Sequence, residues 1–177
     1  LSVIAGSAKG QRIKAPKGAQ TRPTSDKVRE AIFSTIGAKV SDANVLDLYA
    51  GSGALGIEAL SRGAGSATFI DSSTTAIKTI KDNLAKTEFE KKAKIIRKAS
   101  ESFLKSTKTY QFDLIFIDAP YKMKLNNLVN NIKVALELLT KNGLLILEHS
   151  SSIEIGREIT VEKTKKYGNT KVTYIKK

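Results

Sequence analysis

Apolar positions in the first third of the chain recur at helical spacing, with Val28, Ala31, Ile32 and Ile36 on one face. They predict a helix over about 26–38, capped by Thr24 or Asp26. Before it, residues 2–5 and 11–15 flank the turn Gly6-Ser-Ala-Lys-Gly10, which predicts a short basic hairpin, followed by a loop from Pro16 to Pro23. From residue 45 the pattern changes to short apolar runs alternating with helical stretches. Strands are predicted at Val45–Leu48, Ala67–Ile70, Lys94–Arg97, Phe112–Ile117 and Leu144–Glu148, with helices near 54–63, 73–86, 100–107 and 125–139. Such β-α-β-α alternation with short connections implies an α/β fold, a parallel sheet covered on both faces. The tail differs: Glu158–Lys163 and Lys171–Ile175 flank Tyr167-Gly168-Asn169, an antiparallel hairpin that brings the sheet to seven strands. No repeat or linker divides residues 1–177, so one domain is expected, with 1–25 as hairpin and loop and 26–177 as helix plus α/β core.

Composition narrows the chemistry. The 177 residues include no cysteine and one histidine, His149, which removes disulfides, thiolate nucleophiles and multi-histidine zinc centres. No apolar stretch reaches the roughly 20 residues of a membrane helix, and the expected setting is cytoplasmic, without membrane or metal. The net charge of +13 is segregated. Residues 1–29 hold seven positive charges and one negative, residues 156–177 seven and two, and the middle sixteen and fourteen. A basic arm at each end of a near-neutral body points to a polyanion partner, against the plainer reading of solvated surface lysine. Only 6% of residues are aromatic and none is Trp, which disfavours a broad base-stacking platform.

The first predicted strand runs into Asp47-Leu-Tyr-Ala-Gly51-Ser-Gly53-Ala-Leu-Gly56 and then a helix. The glycines permit a tight turn and close approach of a ligand to a helix N-terminus, and G-x-G-x-x-G admits a dinucleotide site. Asp47 at the strand end would repel a pyrophosphate and welcome a sulfonium or amino group. Asp71 ends the second strand, 24 residues after Asp47, where a carboxylate can accept both ribose hydroxyls. The plain alternatives are a turn or capping role for Asp47 and a helix cap for Asp71. The fourth strand ends in Asp118-Ala119-Pro120-Tyr121. The lone pair of a nucleobase amine is delocalised into its ring. Two acceptors, the Asp118 carboxylate and the Ala119 carbonyl, aimed at its N–H groups would favour a pyramidal nitrogen, and Tyr121 can stack on the base. As an isolated tetrapeptide the motif is also an ordinary turn.

The stretch from Asp47 through Glu58 and Arg62 to Ala64 resembles the cofactor motif of RsmD-type 16S rRNA guanine-N2 methyltransferases. Thr21-Arg22-Pro-Thr-Ser-Asp-Lys-Val-Arg29-Glu30-Ala-Ile-Phe33 resembles that family's N-terminal signature. The likeness runs from the hairpin to Tyr167-Gly168. It implies a Rossmann-like class I methyltransferase fold and methyl transfer from S-adenosylmethionine, leaving S-adenosylhomocysteine, to the N2 amine of a guanine in 16S rRNA. The substrate would be a small-subunit particle and the enzyme a monomer. By position, Asp47, Tyr49, Gly51, Ser52 and Gly53 line the cofactor, Asp71 and Ser72 its ribose, and Ala99 and Ser100 its adenine. Asp118, Ala119, Pro120 and Tyr121 form the catalytic loop, and Lys9, Arg12, Lys14 and Arg22 grip RNA.

Three positions depart from the family pattern. Ala119 replaces the first proline of Asp/Asn-Pro-Pro-Tyr/Phe, which keeps the carbonyl and loses the proline lock on φ; Pro120 still biases residue 119 toward extended geometry. Ala99 stands where relatives carry Asp or Asn, and Asp71 where Glu is common. Glu58 and Arg62 read as structural, and Glu148 and His149 close the fifth strand without a catalytic role. The competing readings are a DNA adenine-N6 methyltransferase, disfavoured by the lack of a segment for target recognition, and a catalytically weak RNA-binding assembly factor of the same fold. A nicotinamide dehydrogenase is disfavoured by Asp47.

Overall fold

The computed structural model describes residues 1–16, 24–108, 111–156 and 158–177. Seven strands form one sheet: β1 (Asn44–Leu48), β2 (Ser66–Asp71), β3 (Ala93–Arg97), β4 (Phe112–Asp118), β5 (Leu139–Ser150), β6 (Val161–Tyr167) and β7 (Thr170–Lys176). Their order is β3-β2-β1-β4-β5-β7-β6. The first five pair in parallel, while β7 runs antiparallel to both β5 and β6. The expected seven-stranded, mostly parallel sheet with a closing hairpin is thus the observed one.

Period-two alternation sorts the strand residues into two cores. Val45, Phe69, Leu114, Phe116, Leu144, Ile146, Val172 and Tyr174 face α1 (Asp26–Ile36), α2 (Ala54–Ser61) and α3 (Thr74–Thr87). Leu46, Leu48, Ile70, Ile115, Ile117, Leu145, Leu147 and Ile175 face α4 (Ser100–Ser106) and α5 (Leu125–Glu137). All eight residues of α2 are buried, so its short glycine-started sequence is packed on every side. The third glycine of the loop is a packing requirement: a Cβ on Gly56 would lie 2.3 Å from Phe69 Cε1.

The structure redraws several boundaries. Helix α1 is capped by Ser25, whose side chain accepts from Val28 N, and neither Thr24 nor Asp26 serves as the cap. Strand β5 begins at Leu139 because Leu139 already pairs with Phe112, and the predicted helix over 125–139 ends at Glu137. Strand β6 starts three residues later than Glu158, since Ile159 is drawn into the second core instead of the sheet.

The N-terminal hairpin is reduced to one antiparallel bridge, Ser2 to Arg12, held by Val3 N→Gln11 O and Gly10 N→Val3 O. Its stability comes from docking on α2 rather than from a ladder. The Glu58 carboxylate accepts Ile4 N at 2.8 Å and Ala5 N at 3.1 Å, and it pairs with Arg62 Nε at 2.7 Å and Arg29 Nε at 3.7 Å. Ser7 N donates to Ser61 O, and Gly6 sits so close that a Cβ there would lie 1.7 Å from that oxygen. Glu58 and Arg29 are both fully buried, and each is also paired outward, Glu58 with Arg62 and Arg29 with Asp26. Replacing Glu58 by Ala should therefore cost about 3–5 kcal/mol, because it removes the acceptor of two main-chain amides and the buried partner of Arg29, which keeps only Ser2 O and the exposed Asp26. Denaturant melts should show that loss, and amide exchange at Ile4 and Ala5 should accelerate. Wild-type protection at those amides would refute the anchoring role.

Candidate active site

The strand order reverses between β1 and β4, and the crevice at the carboxyl ends of parallel strands next to such a reversal is where α/β sheets bind ligands. Four carboxylates meet there: Asp47 from β1, Asp71 from β2, Asp118 from β4 and Glu148 near the end of β5. Parallel register sets Asp118 directly beside Glu148. Alternation places Asp47, Asp118 and Glu148 on the face that carries Val45, Phe116 and Ile146.

Asp47 is buried beneath the glycine turn, where its Oδ2 accepts Gly56 N at 3.0 Å. Burial, with a smaller push from Asp71, raises its carboxyl to about 8. In the free protein at neutral pH it is mostly a neutral acid that braces the start of α2, and a cation beside it would restore its charge. Gly51 and Gly53 take positive φ of 55° and 75°, which allows the turn, and α2 begins without a side-chain cap. Ser52 is buried, and its carbonyl accepts from Asn83 Nδ2 at 2.9 Å. The same Asn83 amide donates to Lys14 O and its oxygen accepts Lys14 N, so one α3 residue ties the N-terminal segment to the glycine turn.

Asp71 accepts Gly51 N at 2.9 Å through Oδ2 and Ser73 N at 2.8 Å through Oδ1. It is half-buried, and an ionised carboxylate still has lone pairs to offer two hydroxyls. Ser72 is exposed beside it. On the opposite wall Ala99 is exposed at the start of α4, and Ser100 is buried with its hydroxyl engaged by Tyr49. This wall therefore offers a ligand main-chain groups of Ala99 and Ser100 rather than a polar side chain.

Tyr49 is one of three non-glycine residues with positive φ among those described, at 60°. Its hydroxyl donates to Glu101 Oε1 at 2.9 Å and accepts Asn131 Nδ2 at 2.8 Å. Burial and then Glu101 drive that phenol well above its ordinary value. The side chain thus links the glycine turn to α4 and α5.

Asp118 is half-buried at the mouth of the crevice, Ala119 is buried, and Pro120 and Tyr121 are exposed. The Pro120 carbonyl accepts Met123 N at 2.8 Å, which closes the loop into a turn. Tyr121, 55% exposed, has its hydroxyl 3.1 Å from Thr170 Oγ1, so the ring stands free while its tip is held by the β6–β7 turn. Burial, then Glu148 and more weakly Asp47, raise the Asp118 carboxyl well above the carboxylate range, against the lowering effect of Thr24. Glu148 is raised by burial. The sequence offered Thr24 only as a helix cap and Glu148 only as a strand end, with no place for either in the site. The signal available was positional, since Glu148 ends its strand as Asp118 does. His149, beside Glu148, is buried between Thr173 Oγ1 and Ser150 O, a structural setting.

Of the expected RNA contacts, Lys9, Arg12 and Lys14 are exposed, and Arg22 lies outside the described residues. Among the described residues, no cluster of three or more His, Cys, Asp or Glu is placed to hold a metal ion.

A carboxylate at the end of β2, an acid buried behind a glycine turn after β1, and an Asp-Ala-Pro-Tyr loop after β4 stand together on the seven-stranded sheet of a class I methyltransferase. A family model described as Conserved hypothetical protein 95 matches residues 1–176, and the chain belongs to that family, the RsmD-type methyltransferases. It is 40% identical to the Bacillus subtilis protein YlbH over 183 residues, covering 100% of this chain and 99% of that one. It is 34% identical to the Escherichia coli ribosomal RNA small subunit methyltransferase D over 145 residues, 82% of this chain and 69% of the relative. Among solved structures, the Escherichia coli protein yhhF superposes with a TM-score of 0.85 at 29% identity, covering 100% of this chain and 98% of that one. An RNA methyltransferase from Salinibacter ruber, solved with S-adenosyl-L-homocysteine, shares the fold at a TM-score of 0.69 and 14% identity, over 87% of this chain and 92% of its own.

The Asp47 carboxyl binds a proton in the folded chain that it releases when unfolded, its ordinary value being 3.8 against about 8 here. That contribution is complete below the unfolded value and disappears as pH rises through about 8. Thermal melts of Asp47→Asn beside wild type should therefore show the variant gaining relative stability between about pH 4 and 8, by at most about 1.4 kcal/mol per pH unit. Parallel curves would mean that Asp47 is not held protonated.

Proposed function

We propose that this protein transfers a methyl group from S-adenosylmethionine to the exocyclic N2 amine of a guanine in 16S rRNA. Asp118 carries the reading: a half-buried carboxylate at the end of β4, followed by a buried Ala119 and an exposed Tyr121, at the reversal point of the sheet. The names of the curated relatives support rRNA over DNA as the polymer, and the exposed Lys9, Arg12 and Lys14 suit a phosphate backbone. The setting proposed is the cytoplasm, with a monomer acting on an assembled small-subunit particle. Among the described residues no helix is long and apolar enough to cross a membrane.

The donor, when bound, supplies an electrophilic methyl on a cationic sulfur, so the chain's work is placement. Asp71 offers its remaining lone pairs to the ribose hydroxyls, and Asp47, ionised by a neighbouring cation, favours the sulfonium over a neutral thioether. The Gly51–Gly53 turn admits the ligand against the backbone, with Ser52 held from behind by Asn83. At the acceptor, the Asp118 carboxylate and the Ala119 carbonyl take the two amine N–H groups and turn the nitrogen lone pair toward the methyl. Tyr121 stacks on the base, steadied by Thr170. Ala119 in place of proline costs this arrangement little, because burial and the Pro120–Met123 turn hold the loop.

The test is transfer of labelled methyl to small-subunit particles lacking the modification, with naked rRNA and duplex DNA in parallel. Label should appear as N2-methylguanine in particle RNA, and Asp118→Ala should lower kcat on the order of 10²-fold or more. Label in DNA as N6-methyladenine, or no label despite S-adenosylmethionine binding, would overturn the proposal.

A further inference from the structure

Thr24 closes the floor of the crevice from the segment just before α1. It is buried, and its Oγ1 lies 2.7 Å from Glu148 Oε2 and 3.1 Å from Asp118 Oδ2. A hydroxyl has one hydrogen, so it can donate to only one of two ionised carboxylates. Two neighbouring carboxylates on adjacent parallel strands would also repel each other. Both problems vanish if the pair carries one proton. One carboxylic acid then donates to Thr24 Oγ1 while the Thr24 hydroxyl donates to the other carboxylate. The charged groups bearing on Asp118 are Glu148 and, more weakly, Asp47, both acidic, and Val172 of β7 flanks Glu148 on its other side. Both carboxyls are raised, in agreement with a retained proton.

We propose that Thr24 and Glu148 are positioning residues that relay a proton away from Asp118 when the target amine arrives. The inference rests on the reading of Asp118 as the amine acceptor. The amine N–H that enters toward Asp118 favours its ionised form. The proton on Asp118 passes to Thr24 Oγ1 as the Thr24 hydrogen passes to Glu148 Oε2, so the pair keeps its single proton and only its address changes. Asp118 then faces the amine as an anion without drawing on solvent. After the new C–N bond forms and the C–S bond breaks with its electron pair on sulfur, the nitrogen carries one proton too many. Asp118 takes it, one proton leaves to water from this half-exposed group, and the Glu148 proton returns by the reverse path.

Three variants test this. In Glu148→Gln the amide N–H can donate to Thr24, whose hydroxyl then points permanently at an anionic Asp118. Infrared titration of the substrate-free protein, in an Asp47→Asn background to remove the third raised carboxyl, should show a protonated-carboxyl band that persists to neutral pH. With Glu148→Gln added, that band should titrate at least about one pH unit lower. In the otherwise wild-type enzyme, Glu148→Gln should move the acid limb of the kcat–pH profile in the same direction. Thr24→Val should lower kcat at least about tenfold with KM for particle RNA within about twofold, and Thr24→Ser should restore it. An unchanged band and acid limb in Glu148→Gln, or wild-type kcat in Thr24→Val, would overturn the relay. The infrared arm needs no substrate, so a wild type that methylates nothing would defeat the enzyme reading, whereas an unchanged band in Glu148→Gln would defeat the shared proton on which the relay depends.

Discussion

The crevice depends on the parallel pairing of β4 with β1 on one side and β5 on the other. Parallel strands end together, so residues at equal positions in each finish at the same edge and on the same face. That registration stacks Asp47, Asp118 and Glu148 above one core, under α1 and α2. Buried carboxylates are unfavourable as anions, and three in one place more so. The chain meets this with the Gly56 N–H at Asp47, the Thr24 hydroxyl between Asp118 and Glu148, and retained protons. The result is a cluster of acids whose burial the fold can tolerate.

The layers around the crevice are tied to it by a few buried polar links. Glu58 holds the N-terminal segment to α2 through two backbone amides and two guanidinium groups, and Arg62 in turn lies 5.0 Å from the Phe33 ring centroid. That joins the extension, α1 and α2 into one block. Because α1 is fixed in this way, Thr24 just before it has a defined position over β4 and β5. Asn83 fastens the glycine turn from behind, and Tyr49 fastens its front edge to Glu101 and Asn131. A turn that must accept positive φ at Tyr49, Gly51 and Gly53 is thereby held in shape by neighbours on three helices.

The hairpin formed by β6 and β7 serves both sheet and site. Strand β7 completes the sheet against β5, and its first residue, Thr170, meets the tip of Tyr121. An aromatic ring left 55% exposed has little packing to orient it, so one hydrogen bond to a sheet-anchored residue matters. The turn at Tyr167-Gly168-Asn169 thus has a consequence at the Asp-Ala-Pro-Tyr loop, through Thr170, which follows it.

Local pattern sufficed for the sheet, the helices, the glycine turn and the Asp-Ala-Pro-Tyr loop, because hydrophobic period, glycine chemistry and strand ends are properties of a few consecutive residues. It misplaced the cap of α1, since Thr24, Ser25 and Asp26 are all competent caps and only the packed structure selects Ser25. It gave Asp47 a charge that burial suppresses, because desolvation is set by the atoms packed around a carboxyl and not by its neighbours in the chain. It passed over Glu148 and Thr24 for the same reason: they lie 124 residues apart and meet at 2.7 Å only once β5 is registered beside β4 and α1 is anchored through Arg29 and Glu58. The sequence by itself determined which acids and glycines stand at the strand ends that border the crevice. Tertiary structure alone decided how far burial raises their carboxyls and brought Thr24 between Asp118 and Glu148, since both follow from distance and packing.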